Sequence, residues 1–255
     1  ARIFYGWWIV LIGVVSTGIA GGFFFIGFSV YFLPLTRDLK ISQAATALPL
    51  SFQRVIGGVE GPFVGLAVDR WGPGRVMFLG SLAAGMGFIL LSFTRSYAMF
   101  LLVFLTLVAM GFSSGFGHTT MTAINSWFIK RRGLAMAMMM SGIGVGGAVL
   151  TPLVVLGVEH LGWRTTIMLS GISICVVVMP LSFFLKRSPE SMGLRPDGEL
   201  DPAPTERGTG ASPAGVRGAY DELHEFPVRE ALMTPAYWML GAGNGMRIAV
   251  FTGIT

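Results

Sequence analysis

Apolar side chains run in long blocks along this chain, and charged side chains mark where the blocks end. No charged residue occurs between Ile3 and Thr36, a stretch longer than the apolar core of a secretion signal and ample for the roughly 20 residues that cross a bilayer as a helix. Further blocks run from Ile41 to Val68, where Arg54 and Glu60 interrupt, then Val76 to Thr94, Ser96 to Ile129, Gly133 to Val158 and Thr165 to Leu185. Six spanning helices are predicted. A seventh block starts near Pro235 and continues to Thr255. The sequence stops inside that pattern and opens without methionine, so the chain is expected to be a fragment of a longer protein.

Composition turns this pattern into a class. A chain of 255 residues would ordinarily suggest one or two soluble domains, but 53% hydrophobic residues, 12% charged residues and a mean hydropathy of +0.69 describe a membrane protein. The 36 glycines are spread through the apolar blocks, as suits helices whose backbones approach closely. One cysteine, Cys175, excludes an internal disulfide framework or a thiolate metal site. The net charge of +5 does not indicate nucleic acid, because the basic residues sit at block edges and form no patch. With the N-terminus on the cytoplasmic side, Arg2, Arg70, Arg75, Lys130, Arg131, Arg132, Lys186, Arg187 and Arg195 fall inside, against Arg37, Lys40, Arg95 and Arg164 outside. That excess favours a multi-pass protein of the inner (cytoplasmic) membrane in this orientation. Tyr5, Trp7, Trp8, Trp71, Trp127, Trp163 and Tyr237 stand at span ends and are read as headgroup-level anchors.

Residues 187–233 are rich in Pro, Gly and charge and too poor in apolar side chains to offset the entropy of ordering them. The predicted organisation is therefore a six-helix transmembrane bundle over 1–186, a cytoplasmic linker over 187–233 and, over 234–255, the first helix of a second bundle opened by Pro235. An all-α bundle, a linker and a new span is the layout of one transporter half followed by its partner half.

The loop between spans two and three runs Gly65-Leu-Ala-Val-Asp69-Arg70-Trp71-Gly72-Pro73-Gly74-Arg75. It resembles the G-x-x-x-D-R-x-G-R-R loop of the major facilitator superfamily, departing from the basic pair at Pro73 and Gly74 and holding a basic residue at Arg75. Its carboxylate and guanidinium can dock helix ends and shift between two packings as gates alternate. Phe4-Tyr5-Gly6-Trp7-Trp8, the run Trp127 to Ala135, Gly162-Trp163-Arg164, and the run Pro189 to Gly198 resemble the prokaryotic monocarboxylate and oxalate:formate transporter group. Two signatures of proton-coupled drug exporters fail: Leu107 replaces the arginine of an R-x-x-x-G pattern ending at Gly111, and Gly147 replaces the proline after Gly133, Gly142 and Gly146.

Three motifs imitate other chemistry. Gly142-Ile-Gly144-Val-Gly146-Gly147 spells a dinucleotide fingerprint, but no strand precedes it, and a smooth helix face for packing explains it better. Gly111-Phe-Ser-Ser-Gly115 with His118 mimics a serine-hydrolase elbow without the strained turn or a nearby acid. Met136, Met138, Met139 and Met140 lack the His or Cys partners of a soft-metal site. No cofactor or metal is expected.

Charges inside hydrocarbon are costly and usually face a water-filled cavity. Arg54 lies midway between Ser42 and Asp69, and Arg247 about 18 Å along the helical rise from Pro235, so both are expected near the midplane. Two guanidinium groups at one depth suit an anion, since each binds a carboxylate through two parallel hydrogen bonds; the alternative is pairing with Glu60 or capping of carbonyls at a gate. Glu60, about 120° around the helix from Arg54, is either a proton carrier or a gate bond. Ser114, His118 and Asn125 fall within about 40° of one another on an ideal helix and are expected to share a polar stripe, with Ser114 and His118 as substrate-cavity residues. Gly65, Asp69, Arg70 and Arg75 are assigned to coupling or gating. The resemblance implies secondary active transport of a small mono- or dicarboxylate by alternating access, as proton symport or exchange against a counter-anion, with the bilayer and the rest of its own chain as partners and no enzymatic step. A proton-driven exporter of amphipathic compounds is the alternative and should show an acidic cavity; a receptor or an intramembrane hydrolase is further away.

Overall fold

The computed structural model describes residues 4–39 and 63–192, together with positions 49, 52, 53, 60, 61, 194, 234, 239 and 243. Among them there is no strand. Five helices are long and apolar enough to cross a membrane: α1 (Tyr5–Leu39), α3 (Pro73–Ser92), α4 (Tyr97–Trp127), α5 (Arg132–Leu161) and α6 (Trp163–Phe184). Between α1 and α3, residues 63–71 form the helical end of the second span, α2, and positions 49, 52, 53, 60 and 61 are helical as well. Arg54, the linker and Arg247 lie outside the described residues.

The polar backbone dictates this outcome: with no water in hydrocarbon, each N–H and C=O must be satisfied within its own helix. The corners between helices need special residues. Gly72 and Gly162 precede α3 and α6 with nearly the same conformation, φ 84° and ψ 155° against φ 81° and ψ 158°. Only glycine reaches this region without strain. Pro73 then opens α3, where its missing N–H costs nothing.

Small residues set the interhelix spacing. A methyl group on Gly80 would sit 2.5 Å from the Gly115 Cα, so α3 and α4 touch backbone to backbone. A methyl on Gly171 would sit 2.6 Å from the Gly85 carbonyl oxygen, which closes α3 on α6 in the same way. Such contacts supply the close dispersion packing that holds helices together where lipid removes the hydrophobic drive. In the α5 glycine run, Gly142 and Gly146 are buried against α1, whereas nothing lies within 4 Å of the Cβ position of Gly144. Thr17 also donates its hydroxyl hydrogen to the Met139 carbonyl of α5 at 2.7 Å.

Phe24 of α1 stacks on Phe112 of α4, with ring centroids 4.4 Å apart, and Phe28, Phe88, Phe104 and Phe116 continue this aromatic core. Tyr31 of α1 hydrogen-bonds Ser170 of α6 across it at 3.1 Å. The outward faces are apolar too: Val145, Val149, Leu153 and Leu156 of α5 and Val176 and Phe183 of α6 are all exposed. A surface this apolar belongs in a bilayer.

Each end of the bundle is tied by polar bonds. At one end the Tyr5 hydroxyl donates to the Phe184 carbonyl at 2.8 Å, Trp127 Nε1 to the Lys186 carbonyl at 3.2 Å and the Ser126 hydroxyl to the Arg187 carbonyl at 2.9 Å. At the other, Asp38 accepts from Trp163 Nε1 at 2.9 Å and meets Arg164 at 3.4 Å, while Arg164 also donates to the Ser92 carbonyl at 2.9 Å. Two of the aromatic anchors read from sequence are thus something else. Trp127 is fully buried and Trp163 nearly so, because an indole N–H needs an acceptor and helix ends offer unpaired ones. Trp8 and Trp71 are exposed, as anchors should be.

Candidate substrate cavity

Departures from α-helical winding shape the interior. α1 contains a wide π-type turn at Gly21–Phe25, and α4 contains two, at Phe104–Ala109 and Ser113–His118. Each shifts the side chains that follow around the helix axis, and such turns recur at functional sites. Beside them opens a cavity of about 230 Å3 lined by Phe24 and Phe25 of α1, Gln53 and Glu60 of the second span, and Ala109, Phe112, Ser113, Gly117 and His118 of α4. One wall is aromatic. The other carries an amide, a carboxylate, a hydroxyl and an imidazole.

Glu60 is buried, and its Oε1 has no hydrogen-bond partner among the described residues. A buried oxygen without a partner is costly, and a hydrogen-bond donor on whatever enters the cavity would satisfy it. His118 is the other ionisable group among the described lining residues, and it is exposed to the cavity space.

The structure therefore brings together Glu60 and His118, which sequence reasoning had placed on different spans for different reasons. Ser114 is elsewhere. Its hydroxyl donates back to the Met110 carbonyl at 2.7 Å and lies against Gly80 at the α3 contact, while Ser113 takes the cavity position. Asn125 accepts from Arg132 Nε beyond the end of α4 and is absent from the cavity lining. The expected stripe assumed 100° per residue; the π-type turn over Ser113–His118 breaks that register. Gln53 and Ser113 were missed. The signal for Ser113 was the Ser-Ser-Gly-Phe-Gly run itself, where small residues leave the helix free to widen.

Gly65, Asp69, Arg70 and Arg75 belong to a separate place, the corner joining α2 to α3. Asp69, Arg70 and Arg75 are exposed there. The bond that holds the corner uses a different group from the one expected, since Arg187 donates to the main-chain carbonyl of Asp69. No residue of this corner lines the cavity.

A sequence model of the Major Facilitator Superfamily matches residues 10–255. The chain belongs to that superfamily. Among its relatives, it is 32% identical over 193 residues to monocarboxylate transporter 3 of Gallus gallus, covering 72% of the chain and 35% of the relative. It is 30% identical over 203 residues to monocarboxylate transporter 4 of Rattus norvegicus, covering 78% and 43%. An uncharacterized MFS-type transporter of Bacillus subtilis is 26% identical over 182 residues, covering 71% and 45%. The chain thus spans less than half the length of these relatives.

Proposed function

We propose that this chain is the first half of a secondary transporter for small organic anions, monocarboxylates foremost, working by alternating access in a cell membrane with its N-terminus in the cytoplasm. The observation that carries the coupling mechanism is the buried Glu60 carboxylate, with an unpartnered oxygen, in the same cavity as His118.

The reasoning is electrostatic. A substrate carboxylate entering beside an ionised Glu60 meets a like charge in a low-dielectric space, and a proton on Glu60 removes that repulsion. A proton on His118 adds attraction. Anion binding and cavity protonation therefore favour one another, and by linkage the coupling is reciprocal. An anion and a proton entering together leave the net charge of the half-bundle unchanged, whereas either alone alters it by one, so the loaded and empty forms cross the membrane with the same charge, as electroneutral symport requires. In this reading Arg54 and Arg247 supply the guanidinium forks that bind the anion. The names of the two vertebrate relatives support the substrate class, and the arrangement requires no covalent chemistry.

Radiolabelled lactate uptake by the full-length protein in proteoliposomes tests this. Glu60→Gln should abolish uptake driven by an inward pH gradient while leaving substrate counterflow intact. Arg54→Gln should abolish both. Normal pH-driven uptake in Glu60→Gln would remove the proton role, and loss of both modes in that variant would make Glu60 structural. A second reading draws on the same cavity: a carboxylate among Phe24, Phe25 and Phe112 also suits a proton-driven exporter of amphipathic cations. Competition by a lipophilic cation in place of lactate would favour it.

A further inference from the structure

Outside the substrate cavity, where α2 turns into α3 and α6 ends, a groove of about 650 Å3 opens. Arg70, Arg75, Lys186 and Arg187 line it, and no acidic residue does. Arg187 is engaged with the Asp69 carbonyl. Among the described residues no side-chain hydrogen bond or ion pair occupies Arg70, Arg75 or Lys186. The α3 N-terminus adds its own positive end, since Gly72 provides no side-chain cap and the first turn holds no acid.

The rest of the groove is apolar and uncovered. Trp71 and Leu79 are each 51% exposed and Phe183 is 69% exposed, with the Phe183 ring against Phe78 at 5.5 Å. Cations at the span ends with an apolar wall running along α3 and α6 match a molecule that is anionic at one end and aliphatic along its length. A soluble anion would satisfy the cations and leave Leu79 and Phe183 bare; a zwitterionic headgroup would bring a positive charge into a groove that already has four. We propose that this groove is a binding site for an anionic glycerophospholipid, with its phosphate among Arg75, Lys186 and the α3 N-terminus and an acyl chain along Leu79 and Phe183. Basic pockets between helices at the cytoplasmic side are suited to such headgroups, and in the orientation given by the basic residues this is the cytoplasmic leaflet. The site is independent of the proposed substrate.

Native mass spectrometry of the full-length protein, released from detergent carrying equal amounts of phosphatidylglycerol and phosphatidylcholine, tests it. Wild type should retain phosphatidylglycerol at least fivefold over phosphatidylcholine, and Arg75→Gln with Lys186→Gln should bring the ratio close to one. Should the double variant not fold, Lys186→Gln alone, a change at an exposed side chain, should lower the ratio at least twofold, and raising the salt concentration should lower it for wild type. Millimolar glycerol 3-phosphate should leave the bound lipid in place. Equal retention of the two lipids by wild type, an unchanged ratio in the folded variants, or displacement by glycerol 3-phosphate would each overturn the proposal.

Discussion

Arg187 donates a hydrogen bond from Nη2 to the main-chain carbonyl of Asp69, so the residue just past the sixth span holds the corner that follows the second. The Asp69 side chain is not what is held. Since a backbone carbonyl survives any substitution at its own position, the two residues should respond differently to mutation. Arg187→Ala should destabilise the full-length protein by about 1 kcal/mol, less than the roughly 1.5–3 kcal/mol of a bond to a charged group because the site is exposed to solvent. Asp69→Asn should leave thermal stability unchanged and slow transport without altering which anions compete. Thermal unfolding in detergent, paired with uptake rates and competition profiles, checks both.

The register shift in α4 gives a second test. Ser113 lines the cavity, whereas the Ser114 hydroxyl returns to the Met110 carbonyl of its own helix. Ser113→Ala should raise KM for the transported anion by roughly 2- to 10-fold, the worth of one neutral hydrogen bond at about 0.5–1.5 kcal/mol. Ser114→Ala should change KM by less than twofold. The reverse ranking in transport kinetics would restore an unbroken α-helical stripe.

Close packing predicts an asymmetry among glycines. Gly80→Val places a side chain where Gly115 already stands, with the first added carbon 2.5 Å from its Cα. The α3–α4 contact must part, at a cost of about 3 kcal/mol, the upper range for overpacking. Gly144→Ala meets nothing within 4 Å and should instead stabilise α5 by several tenths of a kcal/mol through helix propensity. Midpoints of thermal unfolding for the two variants should move in opposite directions.

At the opposite end from Arg187, Asp38 accepts from Trp163 and pairs with Arg164. The ion pair is more than one-third exposed on both sides and contributes little. The indole is the sensitive partner, as Trp163 is only 7% exposed. Asp38→Asn keeps an acceptor and should cost less than about 1 kcal/mol, while Asp38→Ala strands the N–H and should cost about 1–3 kcal/mol. Denaturation of both variants in the same detergent gives the comparison.

Sequence alone determined the class, the positions of the five described spans and the family, because each rests on a property that needs no partner. A block of apolar residues long enough to cross hydrocarbon has few structures open to it, and the Gly65-to-Arg75 loop carries its resemblance in consecutive residues. Glu60 and His118 were also visible as polar groups in the wrong solvent. That they line one cavity was not, since the meeting of two spans is set by contacts between residues far apart in the chain. Nor was the exchange of Ser114 for Ser113, because a π-type turn alters the angle per residue that every stripe argument assumes. Trp127 and Trp163 look like Trp8 and Trp71 in sequence, each aromatic at the end of an apolar block. Only the packed bundle decides which indoles face an unpaired carbonyl or carboxylate and which face the bilayer, because a hydrogen bond across helices is fixed by distance in space and leaves no period in the chain.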